Sequence, residues 1–365
     1  MKNEVISERQ AIILIILFII GTTLLNGAGG QAKQDAWIAI IIAISWSVIL
    51  LLMFSRILSL YPGKDLFDIL QIVMGRFIGK IISILMILFA FHDGATILRS
   101  LSEFTNILVL PDTPVVVPMI FFTILLIWSV KRGIEVLGRW SELFIWVVIL
   151  SFLTVSLLSI SEMDISKLKP ILYNDFKPVL RGAFSSFSYP LGETVIFTMV
   201  FSNISKIKNY KKIFMTGLLI GGGLIFLATL RNILILGSGT ISRIYFPSTM
   251  VASVIHIGAM FQRLEMGVVI VFLVCTFVKV SICLFAVCNG ISKVLEFDDY
   301  KFISAPIALL MLSFSFIIYK SNMEMSFWTL EIWPYYSFLF EVIIPLVIFI
   351  VAEIRSRSST SVKVT

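Results

Sequence analysis

The chain has 365 residues, 58% of them hydrophobic and 14% charged, with a mean hydropathy of +1.01. Soluble folds average roughly a quarter charged residues, so this composition excludes a water-soluble enzyme and any separate soluble domain. The formal charge of +7 is spread over short segments between apolar runs, a pattern of membrane topology and not of nucleic-acid binding.

A membrane-spanning helix needs about 20 apolar residues. Ten runs qualify, at roughly 11–30, 37–60, 81–108, 115–131, 140–160, 183–202, 213–236, 266–290, 302–320 and 336–352. The first follows a charged start, as a signal peptide does, but it is too long for a signal core and nine more follow. The expected organisation is a cytoplasmic segment 1–10, a transmembrane domain 11–352 and a cytoplasmic tail 353–365. With the N-terminus inside, 18 of the 29 Lys and Arg fall on cytoplasmic segments. Lys206, Lys208, Lys211 and Lys212 between spans six and seven vote most clearly.

Span one is interrupted by Gly21-Thr22-Thr23-Leu24-Leu25-Asn26-Gly27-Ala28-Gly29-Gly30. Span two follows Gln34-Asp35, with Asp35 placed to cap it, and ends at the turn signal Leu60-Tyr61-Pro62-Gly63. Span three carries His92, Asp93, Arg99 and Glu103, and Pro111-Asp112-Thr113-Pro114 turns the chain. Arg139 and Glu142 are expected to pair at the rim of span five. Span six is interrupted by Ser185-Ser186-Phe187-Ser188-Tyr189-Pro190-Leu191-Gly192-Glu193. Between spans seven and eight, 237–265 reads as one or two outer helices, with a mildly amphipathic run from Thr249 to Phe261. Span eight holds Lys279 and all three cysteines, Cys275, Cys283 and Cys288. With only His92 and His256 beside them, these make no metal cluster and no cofactor motif. Glu341 falls in the outer part of span ten without an assigned role.

The two interruptions begin two sets of five spans, so the repeats are about 11–160 and 183–352. Backbone in lipid must satisfy its own hydrogen bonds, so a helix breaks there only where protein or a cavity takes over. Matched breaks in two halves point to a midplane solute site in an inverted-repeat transporter fold. Unwound backbone offers amides to a carboxylate and carbonyls to an ammonium. Close packing is the alternative use of such glycines, and for Gly27 and Gly30 both uses stand.

Charges inside the membrane are expensive and mark function. By depth, Gly21, Asp93, Thr96, Gly192, Glu193 and Lys279 share one level. The candidate ligand-binding residues are Gly21, Thr22, Thr23, Leu24, Asp93, Thr96, Phe187, Ser188, Tyr189 and Gly192. Thr23, Ser188 and Tyr189 are the candidate pocket walls. Lys279 reads either as a tethered cation holding spans one and eight, where other transporters hold sodium, or as a structural ion pair with Glu193 or Asp93. Glu193 is expected to pair with a cation or accept amide hydrogen bonds. Arg99 and Glu103 stand four apart and are expected to pair.

Together, several stretches resemble the spore germination permease family, the GerAB-type B subunits of germinant receptors. They are Ser7-Glu8-Arg9-Gln10, Gly21-Thr22, Ala32-Lys33-Gln34-Asp35-Ala36-Trp37, Thr113-Pro114, Gly138-Arg139-Trp140-Ser141-Glu142, 184–193, Gln262-Arg263-Leu264-Glu265 and Phe277-Val278-Lys279-Val280-Ser281. The resemblance runs nearly end to end. It implies the amino acid–polyamine–cation superfamily and the LeuT-type fold, an all-α integral membrane protein of ten transmembrane helices in a 5+5 inverted repeat with helices one and six broken. It also implies a site between spans one, three, six and eight, an A-type partner subunit, a C-type lipoprotein subunit, and residence in the bilayer of the spore inner membrane. Relatives often carry a second Gly and a Pro in the span-one break; here Thr23-Leu24-Leu25 stands instead, so ligand identity does not transfer.

The function expected is sensing of a small-molecule germinant, an amino acid, with the binding bias passed to partner subunits. An amino acid transporter of the same fold, and an assembly subunit with a vestigial pocket, are the alternatives. No nucleophile–base pair supports an enzyme.

Overall fold

The computed structural model describes residues 5–173, 175–202, 209–255 and 264–361. Lys2, Lys206, Lys208, Lys363, His256, the 256–261 part of the amphipathic run and Gln262-Arg263 lie outside the described residues. Among those described there is no β-strand. The α-helices are α1 Glu8–Ile20, α2 Thr23–Asn26, α3 Ala36–Leu60, α4 Leu66–Met74, α5 Arg76–Phe104, α6 Val116–Arg132, α7 Ile134–Leu158, α8 Lys177–Ser186, α9 Ile196–Val200, α10 Tyr210–Leu236, α11 Ser238–Ile241, α12 Pro247–Val254, α13 Glu265–Leu295, α14 Ser304–Ile317, α15 Asn322–Phe327, α16 Trp333–Phe338 and α17 Ile344–Ser361.

Among the described residues, six stretches are long and apolar enough to cross a membrane: Gly30–Leu60, Arg76–Val109, Ile134–Leu158, Tyr210–Leu236, Glu265–Leu295 and Asn322–Ser356. They coincide with expected spans two, three, five, seven, eight and ten. Spans one and six fall short because each is broken, while α6 has 17 residues and α14 has 14.

α1 opens on a reciprocal cap between Ser7 and Gln10, which satisfies two orphan amide donors. From Ile13 to Ile20 every side chain of α1 is buried. A helix buried all round is a core helix, and α13 is buried on every face from Val278 to Cys288, packed on α5, α1, α7 and α9. Gly217 and Gly221 of α10 lie against Ile15 and Ile19 of α1. The absence of a side chain there lets the two backbones approach in parallel.

Two expected polar contacts are corrected. Asp35 makes no side-chain cap on α3; both its carboxylate oxygens accept the Leu172 N–H at 3.1 Å. Arg139 pairs with Glu135 at 2.5 Å, and Glu142 instead faces Arg9 at 3.9 Å. Glu four residues before a cation is the favoured helical geometry, so Glu135 wins over Glu142 three residues after.

α1 and α10 begin on one face of the bundle, and α3, α13 and α17 end on it; we call it the terminal face. It is clasped by charge. Lys293 of α13 bonds Asp65 and Asp68 at 2.6 Å each. Asn289 donates to Asp65 at 2.9 Å and to the Met199 carbonyl of α9 at 3.0 Å. Arg56 pairs with Glu353 at 2.6 Å, and Glu296 with Arg76 at 2.5 Å and Lys80 at 2.8 Å. Hydrogen bonds from Lys80 and Arg76 push Glu296 down to about 2, so that carboxylate stays ionised at any physiological pH.

Candidate functional site

At the first break the backbone leaves α1 at Gly21, with φ 16° and ψ −120°. At the second, α8 runs into a π-helical turn over Phe187–Leu191 and a 3₁₀ turn over Gly192–Val195. Tyr189 is extended there, with φ −127° and ψ 112°, and Pro190 has no N–H to continue a ladder. The hydroxyls of Thr22 and Tyr189 are hydrogen-bonded, joining the two breaks. Ser248 of α12 donates to the Leu24 carbonyl at 2.6 Å, and Ser188 donates to the Pro334 carbonyl at 3.2 Å. The Leu24 carbonyl freed in the first break thus finds a donor from a neighbouring element, as lipid demands, while the second break donates a hydroxyl of its own to span ten.

Each break glycine is covered by a long ionisable side chain. A Cβ on Gly21 would sit 2.9 Å from Cδ of Lys279. A Cβ on Gly192 would overlap the Glu341 carboxyl. Lys279 passes over Gly21, lies 4.9 Å from the Phe18 ring and 4.5 Å from the Tyr189 ring, and ends on Glu193 at 2.5 Å. Both members of that ion pair are fully buried. Lys279 therefore binds α13 to both broken spans, lying over Gly21 of span one and pairing with Glu193 of span six.

A cavity of about 620 Å³ opens on the face opposite the terminal one. Exposed Lys33, Arg243 and Met323 stand at its mouth, and buried Asp93 and Trp333 at its floor. Several floor and wall atoms have no protein partner: Asp93 Oδ1, Ser186 Oγ, Thr229 Oγ1 and Trp333 Nε1. Buried polar atoms are normally satisfied, so this set marks where something else supplies the hydrogen bonds. The other oxygen of Asp93 accepts from Cys283 Sγ at 3.5 Å, and the Glu193 carboxyl stands beside Asp93.

Of the sequence candidates, Asp93, Thr96 and Tyr189 line this cavity, as does Glu103, which pairs with Arg99 at 2.6 Å. Gly21 and Leu24 line a smaller cavity on the other side of span one, with Phe152 and Arg231. Thr22, Thr23, Phe187, Ser188, Gly192, Glu193 and Lys279 line neither cavity. Thr23 and Ser188 are accordingly not walls of the large cavity; their side chains turn into the packing around the breaks. Gly27 and Gly30 do line it, and a Cβ on either would meet nothing within 4 Å, which removes the close-packing alternative for both. His92 sits in a nest of rings from Phe314, Trp328, Trp333 and Tyr336, 5.3 to 6.3 Å away.

Sequence reasoning missed Ser186, Thr229, Asn232 and Trp333 on the cavity wall, and it misplaced Glu341. Span ten extends over Asn322–Ser356, so Glu341 falls near its middle. π-helical turns at Trp328–Ile332 and Leu339–Ile343 carry it against Gly192. Its burial inside an apolar run was the available signal.

The profile of a family described as "Spore germination protein" matches residues 5–323. The chain belongs to that family. It is 30% identical over 361 residues to spore germination protein KB of Bacillus subtilis (strain 168), covering 98% of this chain and 97% of that one. Spore germination protein XB of Bacillus anthracis is 24% identical, over 87% of this chain and 85% of the other. Among solved structures, the nucleobase-cation-symport-1 family transporter Mhp1 superposes with a TM-score of 0.65 at 13% identity, covering 90% of this chain and 75% of that one. MhsT in complex with L-phenylalanine gives 0.54 at 12% identity, covering 98% and 100%. These likenesses establish the transporter fold expected from the sequence, an all-helical membrane architecture with broken helices.

Proposed function

We propose that this chain is the B-type subunit of a germinant receptor and that its cavity binds an amino acid germinant. The observation that carries this reading is the floor of the cavity: an unpartnered carboxylate oxygen of Asp93 and an unpartnered Trp333 N–H beside Tyr189 of the span-six break. Asp93 suits a ligand ammonium, and Trp333 with the hydroxyls of Ser186 and Thr229 suits its acceptor atoms. Ligand entering from the open face would favour one state of the scaffold only by binding it better than another. That bias would pass to an A-type subunit and a C-type lipoprotein in the spore inner membrane. The Lys/Arg excess on terminal-face segments supports an orientation with both chain ends in the cytoplasm.

An amino acid transporter is the second reading, favoured by the fold it shares with Mhp1; fold does not decide between the two. The test is germination of spores lacking this chain, complemented with wild type or with Asp93→Asn, across amino acids, sugars and nucleosides. An amino acid response restored by wild type and lost with Asp93→Asn is expected. Uptake of that amino acid by the purified chain in liposomes would instead establish the transporter.

A further inference from the structure

The midplane holds more acid than base. Lys279 is the ammonium there, and it bonds Glu193 Oε2. Asp93 faces the Glu193 carboxyl from α5. Glu341 stands on the far side of Gly192 in span ten, with Glu193, Asp93 and Lys279 as the charged groups that face it. All four side chains are buried. Asp93 opens on the cavity and can take a charge from ligand or water, whereas Glu341 lines neither cavity and neither of its oxygens has a partner. The fully buried hydroxyl of Ser337, one turn before it, faces this carboxyl without closing a hydrogen bond to it.

A bare carboxylate so placed is costly on two counts. It is desolvated without compensating hydrogen bonds, and it stands beside another carboxylate that already claims the ammonium. A metal ion is not the remedy. Among the described residues no group of three His, Cys, Asp or Glu side chains is arranged to hold one. Nor is there space between Glu341 and the broken helix, since even a methyl group on Gly192 would overlap the carboxyl. A proton is the one cation that needs no extra volume.

We infer that Glu341 is a proton-binding site that locks span ten onto the span-six break as the neutral acid. When span ten withdraws from Gly192 and water reaches the carboxyl, the O–H bond breaks, the proton passes to water and the carboxylate remains on Glu341. Return to the packed state takes one proton back. The site thus ties the position of span ten to proton binding, whatever ligand the cavity holds.

Infrared difference spectroscopy of the purified full-length protein in lipid nanodiscs, stepped between mildly acidic and alkaline buffer, reads this directly. Wild type should show the carbonyl band of a protonated carboxylic acid, shifted on deuterium exchange. Glu341→Gln, which keeps the shape of the neutral acid, should lose that band, and Glu353→Gln should keep it. Gly192→Ala should move the band, because the added methyl displaces the carboxyl. A wild type without the band, or a Glu341→Gln protein that keeps it at full intensity, would overturn the assignment. So would a band that Gly192→Ala leaves unmoved.

Discussion

The two faces of the bundle treat polar groups in opposite ways. On the terminal face Lys293, Asp65, Asp68, Arg76, Lys80, Glu296, Arg56 and Glu353 all find partners within 2.5 to 2.8 Å. At the floor of the opposite cavity Asp93, Ser186, Thr229 and Trp333 each keep an atom without one. Paired charges hold α3, α4, α13 and α17 together; the cavity-floor atoms have no protein partner. The breaks lie between, where Lys279 and Glu193 pair far more deeply than the clasp, Glu193 through one oxygen while its other has no partner. A scaffold closed on one side and unsatisfied on the other is what a one-sided sensor needs.

The comparison breaks first at Lys279. Lys279→Ala leaves Glu193 as a buried unpaired charge, and removing one partner of such a pair costs about 3–5 kcal/mol. The variant should accumulate poorly or unfold at lower temperature, as membrane-fraction blots and thermal unfolding would register. Lys279→Arg should rescue little, because a planar fork is wider than the ammonium stem packed over Gly21 and beside Phe18. Normal stability for Lys279→Ala would place the strength of the core elsewhere.

Gly21→Leu comes next. A Cβ there meets the Phe18 carbonyl at 2.8 Å and Lys279 Cδ at 2.9 Å, and overpacking typically costs about 1–3 kcal/mol. The chain should still reach the membrane while the germination response is lost. A normal dose response would show that the break tolerates movement of Lys279.

Loosening the clasp is milder. Lys293 is a quarter exposed, so Lys293→Ala, although it leaves buried Asp65 without its cation, should cost on the order of 1 kcal/mol once solvent screening is counted. Its signature is positional: a cysteine placed at Asn289 should react faster with a water-soluble maleimide when Lys293 is removed. Equal rates would mean that the clasp does not seal this face. The smallest effect is expected from Thr23→Gly. Because Thr23 lines neither cavity, the ranking of amino acids by potency should not change. A reordered ranking would return Thr23 to the pocket wall, where a methylene or two is worth roughly 10–200-fold.

The breaks were legible because Gly with Thr in span one, and Ser, Tyr, Pro and Gly in span six, interrupt apolar runs at corresponding places in the two halves. Arg99–Glu103 followed from helical spacing, and Glu193 was one of the two partners proposed for Lys279. What escaped was depth in span ten. Hydropathy starts the span at 336, but the helix begins at Asn322, through a stretch carrying Glu324 and Glu331, so Glu341 was placed too far out. Trp333 was invisible for a related reason: it stands in an aromatic-rich stretch whose composition does not say which ring faces a cavity. Asp35 and Arg139 carried correct local signals, but a tertiary partner for one and a better-spaced helical partner for the other prevailed.

The central claim is that the floor of the large cavity holds the germinant's ammonium on Asp93. Calorimetric titration of the purified chain in nanodiscs with a panel of amino acids, for wild type beside Asp93→Asn, tests it most directly. A hydrogen bond to a charged group is worth about 1.5–3 kcal/mol, so the account predicts an amino acid that binds wild type and binds Asp93→Asn roughly 10- to 150-fold more weakly. No binding by any amino acid, or equal affinity for the two proteins, would contradict it.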